Sequence, residues 1–522
     1  MNPFQKKLMI NGILVLIGYK YSIYGEQSMY MELIKNKIKI MQQESLKNKT
    51  IKGVGWSAAD AFLGQGVTFI VGLVLARLLS PDEYGLIGIC LIFTTVLNGI
   101  VDSGFSNALI RKKDVTDEDY NTMFMTNMAI SIVLYILLFV SAPFVSDFFH
   151  RVELTALVRA TGLILFFNAL SITQVTILTK KIDFKTKTKA SLVSAIISGV
   201  IGIAMAFMGY GVWSLVAQQL SKQLLYTLCL WVLNNWWPKF TFYKDSFKYM
   251  WGFGWKLLAS GILNNVWNQL YQVVIGRCYT SSTLGHYTRA NEYASIFSSN
   301  LTLIVQRVSY PVLAEIQDDK ERMVQGYRKV IKVTMFVTAV CMISLGAVSE
   351  PLIYTLIGTK WYEAATYLPL ICISMSLYPL HAINLNILQV IGRSDIFLYL
   401  EVLKKFVGLV PLVIGVFCGI YYMLLTSIFT GVISLYLNTW YTGKTLNYTF
   451  WKQLHDIAPS YFTALVIAVA VYFLKFLMLP CYVVLVLQII VGIIVGLSIS
   501  ELLKFEEYIE LKSIVIKMIK RK

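Results

Sequence analysis

A small set of charged and amide side chains stands inside the long apolar stretches of this 522-residue chain. A charge in a bilayer interior costs on the order of 2.5–3.5 kcal/mol on insertion scales, so such residues usually face a water-filled cavity or one another. Arg77 closes the first apolar run and Arg277 closes a similar run 200 positions later, each eight residues before a glycine, Gly85 and Gly285. Arg289 and Arg307 flank the next run, and Arg307, beside Gln306, lies nearer its interior. Guanidinium groups so placed suit an anionic ligand; the competing reading for Arg77 and Arg277 is that they sit at helix ends and reach out to the interface. Asp60 and Asp102 are the acids deep in the first hairpin, each suited to pairing with an arginine or to carrying a coupling proton. Amides and rings recur at helical spacing in three places. These are Asn264, Asn265, Asn268 and Gln269 with Trp267 and Tyr271; His381, Asn384, Asn386 and Gln389; and Gln218 with Gln219. Such groups hydrogen-bond a hydroxylated ligand or hold membrane helices together.

Catalysis has no comparable foothold, and we expect no enzyme activity. There is no phosphate-binding glycine loop, no carboxylate pair in a polar loop and no nucleophile with a partner histidine. The seven cysteines are scattered and the histidines number four, without a CxxC pair or a Cys/His cluster. Neither a disulfide framework nor a metal site is indicated, and no cofactor is expected.

The elements that must position these residues are membrane helices. The chain is 57% hydrophobic and 14% charged, with a mean hydropathy of +0.63, whereas soluble domains carry about a quarter charged residues. The net charge of +17 is not gathered on a soluble domain that would bind nucleic acid. It falls in alternate connections, among them Arg111-Lys112-Lys113, Lys180-Lys181, Lys320 with Arg322, and Lys444 with Lys452. That asymmetry predicts a multi-pass protein with both termini cytoplasmic.

The run Val54–Leu79, the polar turn Ser80–Gly85 and the return to Lys113 form a transmembrane hairpin, and its features recur at offsets of about 200–212. Gly55-Trp56 is echoed by Gly254-Trp255, and Ala142-Pro143-Phe144-Val145 by Glu350-Pro351-Leu352-Ile353. Six spans per copy is an even number, so the repeats are parallel. The expected division is an extension at 1–46, a first lobe at 47–233, an aromatic and basic interfacial linker at 234–255, a second lobe at 256–441, and two further helices with a basic tail at 442–522. The extension is read as an interfacial helix or as a stretch ahead of a true start at Met29, Met31 or Met41. The whole is an all-α polytopic membrane protein of about fourteen helices. Thr116-x-x-Asp119 predicts a helix start, and Gly209-Tyr210-Gly211 a tight turn.

The segments LARLLSPDEYGLIG, VDSGFSNALIRKKD, ILTKKIDF, GYGVWSLVAQQ, LGHYTRA, EPLIYTLIGTKW and YPLHAINLNILQVIGRSD resemble the polysaccharide exporters of the MOP superfamily. The likeness is to Wzx-type flippases of the colanic-acid and teichuronic-acid kind, over about residues 45–505. It implies a MATE-like fold, with two six-helix lobes facing each other in a V plus two C-terminal helices. It also implies transfer of undecaprenyl-diphosphate-linked oligosaccharides across the bacterial inner membrane, by alternating access through a cationic cavity, for O-antigen, capsule or exopolysaccharide. On that reading Arg77, Arg277, Arg289 and Arg307 contact the diphosphate. Gln218, Asn264, Asn268, Gln269, His381, Asn384 and Gln389 contact sugar, and Asp60 or Asp102 couples an ion or forms an ion pair. Partners would be the lipid-linked substrate, membrane lipid, and the polymerase and glycosyltransferases of the same pathway. Moving two negative charges outward gains about 4–5 kcal/mol per 100 mV; proton or sodium antiport is the alternative drive. The rival readings are a drug or metabolite exporter, which would favour an acidic cavity, and a non-transporting member of a synthesis complex.

Overall fold

The computed structural model describes Trp56, residues 63–316 and 318–509, and positions 512, 513 and 516. The amino-terminal extension and Asp60 lie outside the described residues. The first repeat holds α1 (Gln65–Leu78), α2 (Pro81–Asp102), α3 (Phe105–Arg111), α4 (Asp117–Phe149), α5 (Leu154–Lys180), α6 (Phe184–Phe207) and α7 (Val212–Leu233). The second holds α8 (Lys244–Cys278), α9 (Ser281–Glu315), α10 (Lys320–Ala347), α11 (Ser349–Leu356), α12 (Tyr362–Ser376), α13 (Tyr378–Val390), α14 (Ser394–Cys418) and α15 (Ile420–Leu446). α16 (Phe450–Phe473) and α17 (Cys481–Leu502) follow without counterparts in the first repeat.

Local chemistry sets the helix starts. Ser80 caps α2 in a reciprocal box with Glu83, with Pro81 in the first turn, so the orphan amide groups of that turn are satisfied by side chains. Thr116 and Asp119 form the expected box at the start of α4. Thr280 caps α9 at the position equivalent to Ser80, accepting from the Thr283 amide.

Nine helical stretches among the described residues are long and apolar enough to cross a membrane. α1, α7, α8, α9 and α14 are not among them: α1 is short, and the other four carry polar or charged residues. Apolarity and length alone therefore do not reach the expected fourteen spans.

α8 differs from expectation. It is a single helix of 35 residues, about 52 Å at 1.5 Å per residue, longer than the ~30 Å hydrocarbon core. Only 234–243 is non-helical, and the remainder of the expected linker is the opening of α8. A fall in hydropathy does not mark where this helix begins.

The end carrying the α1–α2 and α8–α9 turns is called the turn end here, and the opposite one, with Lys112 and Lys180, the basic end. One apolar core joins both repeats towards the turn end, running from Leu75 and Ile89 through Leu284 and Ile353 to Met423. The same core runs on towards the basic end through Phe105, Leu109 and Met250, and two further clusters lie beside it there. Tyr327, Ile387, Leu446 and Ile457 belong to a cluster of the second repeat with α16, while Leu178, Ala190 and Leu230 pack within the first.

Candidate functional site: a cavity between the repeats

α2 and α9 cross at the turn end, each laying its first turn on the other. A Cβ on Gly85 would lie 1.7 Å from the Ser281 carbonyl oxygen, and one on Gly285 would lie 1.9 Å from that of Pro81. Small residues permit this approach between membrane helices. Around the crossing, polar side chains pass between the repeats. Arg77 Nε donates to the Leu356 carbonyl at 2.8 Å and its guanidinium also reaches the Thr355 carbonyl, at the C-terminal end of α11, where the helix dipole favours a cation. Lys360 Nζ donates back to the Arg77 carbonyl at 2.8 Å. Trp361, fully buried, donates through Nε1 to the Ala76 carbonyl at 2.9 Å. The repeat-related Arg277 lies 2.7 Å from His150 Nε2, the residue that ends α4. Arg151 grips both oxygens of Asp82, at 2.8 and 2.7 Å, and donates to Ser281 Oγ at 2.9 Å. Arg77 and Arg277 thus form a pseudo-symmetric clasp, and neither is among the lining residues of the cavity that lies beneath it.

Beneath the clasp lies a cavity of about 260 Å³. Its walls come from both repeats: Thr68 and Gly72 of α1, Tyr84, Gly88 and Thr95 of α2, Gln218 and Gln219 of α7, Gln269 and Gln272 of α8, and Thr288, Arg289 and Glu292 of α9. Arg289 is held on two sides. Its guanidinium stands 4.0 Å above the Tyr84 ring, and its NH1 is 2.7 Å from Glu292 Oε2, with 14% of the arginine side chain exposed against 48% of the glutamate. Nearby, Lys222 of α7 donates to Thr68 Oγ1 at 3.1 Å.

Of the residues singled out from the sequence, Gln218, Gln219, Gln269 and Arg289 meet in this cavity. Asn264 and Asn268 are exposed on the same helix but are not among its lining residues, while Asn265 points at Gly99 of α2. His381 is engaged with Asn438 at 3.2 Å inside the second repeat. Asn384 is fully buried, accepting from Tyr327 at 2.6 Å and exchanging bonds with Gln453 at 3.1 Å. These two hold α10, α13, α15 and α16 together, so their helical spacing serves packing. Gln389 is exposed towards the basic end, outside the cavity. Asp102 accepts from the Ser106 hydroxyl at the α2–α3 break, and no arginine pairs with it among the described residues. The Arg307 side chain lies outside the described residues. Lys180, at the basic end, donates to the Leu109 carbonyl at 3.0 Å and stitches α5 to α3.

Glu292, Gln272, Tyr84 and Lys222 escaped the sequence reading. Two of them carried a readable signal: Glu292 follows Arg289 by three residues and Gln272 follows Gln269 by three, the spacing that puts both members of a pair on one helix face. Among the described residues no group of three or more His, Cys, Asp or Glu side chains is placed to hold a metal.

Two helical repeats with a polar cavity between them and two appended helices define an α-helical, multi-pass membrane protein of the MOP-superfamily fold. Its fold matches that of the lipid II flippase MurJ in an inward closed conformation, with a TM-score of 0.66 at 17% identity over 87% of this chain and 98% of the other. It also matches an inward-facing MATE family multidrug resistance transporter, with a TM-score of 0.58 at 12% identity over 74% of this chain and 98% of the other. Residues 74–366, more than half of the chain, match the family described as "Polysaccharide biosynthesis protein", and the chain belongs to that family. Among its relatives is the succinoglycan biosynthesis transport protein ExoT of Rhizobium meliloti, 25% identical over 428 residues that cover 82% of this chain and 87% of the relative.

Proposed function

We propose that this protein flips polyprenyl-diphosphate-linked oligosaccharides across the bacterial cytoplasmic membrane, with its basic end in the cytoplasm and its turn end outside. The observation that carries this reading is the amide-lined cavity between the two repeats, closed at one end by their crossing. The name of the relative speaks of transport in polysaccharide biosynthesis, and the match to a flippase supports the same architecture. The concentration of lysine and arginine at one end supports the orientation.

A hydrophilic sugar head needs a path lined with groups that replace water. The glutamines of α7 and α8 supply both donors and acceptors for hydroxyls. The diphosphate stays near the basic end, where its polyprenyl tail remains in lipid. Arg307 lies 18 residues beyond Arg289 on α9, about five turns further at the same angular position, and is our candidate for that charge. Arg77, Arg277 and Arg151 then serve the switch between conformations, because opening the turn end requires them to let go. The drug-exporter reading calls for a carboxylate free to meet a cation, whereas Glu292 in this cavity is already paired with Arg289.

The test is translocation of a fluorescent polyprenyl-diphosphate oligosaccharide in proteoliposomes. Wild type should move it, and Arg289→Gln should slow it at least about tenfold, the loss expected on removing one charged hydrogen-bonding partner. Correctly inserted wild-type protein that moves no such lipid would sink the proposal.

A further inference from the structure

The cavity's charge balance assigns a substrate class, and the assignment rests on the flippase reading above. Among the described residues the charged ones lining it are Arg289 and Glu292, which lie 2.7 Å apart, and Lys222 stands behind the lining Thr68, its ammonium donating to that hydroxyl at 3.1 Å. Arg289 is also covered by the Tyr84 ring, so its charge is met from two directions before any ligand arrives. At about 260 Å³ the space is below the roughly 300–1,000 Å³ of sites that enclose a drug-sized ligand. It accommodates one sugar ring rather than a chain of them, and it lies at the closed end, the point furthest from the lipid anchor. We propose that this pocket receives the outermost monosaccharide of the lipid-linked unit and selects a neutral one, with Glu292 as the specificity-determining residue.

The physics is that of a counter-ion already in place. A uronic acid entering the pocket brings a carboxylate up to Glu292, and like charges brought together across an interface are strongly disfavoured. It could win Arg289 only by displacing the partner that now holds it. A neutral hexose meets no such penalty: its hydroxyls bond to Gln218, Gln269 and Gln272, and its ring packs on the Leu91 and Ile87 side of the wall. Replacing Glu292 by glutamine keeps the shape, frees Arg289, and removes the carboxylate that repels an acidic sugar.

The experiment uses the full chain in proteoliposomes and two polyprenyl-diphosphate trisaccharides that differ only in the outer residue, glucose or glucuronic acid. Wild type should translocate the glucose-ended lipid at least about tenfold faster. Glu292→Gln should erase or invert that ratio, and Glu292→Asp should keep it. Equal rates for the two lipids with wild type would overturn the assignment of the pocket while leaving the flippase reading intact, and this arm holds even if a variant fails to fold. An unchanged ratio in Glu292→Gln would overturn the role of Glu292. Movement of neither lipid by inserted wild type would overturn both the assignment and the reading beneath it.

Discussion

Glycine at positions 85 and 285 answers to the neighbouring helix. Each stands where a Cβ would enter the space of a carbonyl oxygen on the other repeat, so the α2–α9 crossing exists only with hydrogen at both sites. Gly85→Val should push the crossing apart, and a cysteine pair placed across it should then cross-link in lower yield than in wild type. Asp456 shows the opposite kind of constraint. It accepts from Arg328 twice, at 2.8 Å each, and from Tyr448 at 2.7 Å, and its side chain is almost wholly buried while Arg328 is half exposed. Because Arg328 can turn to solvent, Asp456→Ala should cost only about 1–3 kcal/mol, read as a lower melting temperature in detergent without loss of specific transport by the folded fraction. The pairing of Arg77 with Arg277 was legible, since duplication is written along the chain. Their destination was not. A guanidinium at a helix end chooses between cavity, interface and a neighbouring helix according to partners some 280 positions away, as with Arg77 and Leu356. His381 and Asn384 show the same limit, because an amide that binds ligand and one that bonds a neighbouring helix share one spacing.

At the scale of elements, α8 belongs in sequence to the second repeat but opens on the first. A Cβ on Gly254 would lie 2.7 Å from the Ser103 carbonyl oxygen and 2.9 Å from the Phe105 ring, which seats the helix on α3. Lys112 and Arg111 of α3 and its C-cap lie over the Tyr249 and Phe253 rings at 5.2 and 5.0 Å. Further along, Trp267 packs against Gly408 of α14, so the same helix touches both repeats. Gly254→Leu should release its opening turns, and limited proteolysis should then cut faster within 234–243 while the cleavage pattern elsewhere is unchanged. The aromatic and basic composition of 234–255 led to the expectation of an interfacial linker. It could not show that the helix runs on unbroken through that boundary, because backbone hydrogen bonding within a helix is indifferent to where the bilayer ends.

The whole molecule is held most firmly at the turn end, by a shared apolar core with a polar clasp around it, while towards the basic end that core continues through α3 and α8 beside two further clusters. The all-helical, multi-pass architecture was readable from apolar run length and composition. Which end is closed was not, since both repeats carry the same residues whichever way they tilt. An alternating-access cycle requires this crossing to open and close. Gly88 and Thr288 face each other across it, a Cβ on Gly88 falling 3.6 Å from Thr288 Cγ2, so side chains placed at the two sites meet. The decisive measurement is lipid-linked oligosaccharide translocation by Gly88→Cys/Thr288→Cys protein, with the exposed Cys278, Cys418 and Cys481 replaced by serine. Oxidation should stop translocation and reduction should restore it. Translocation at the same rate with the disulfide formed would contradict the account, because substrate would then be crossing without the repeats parting.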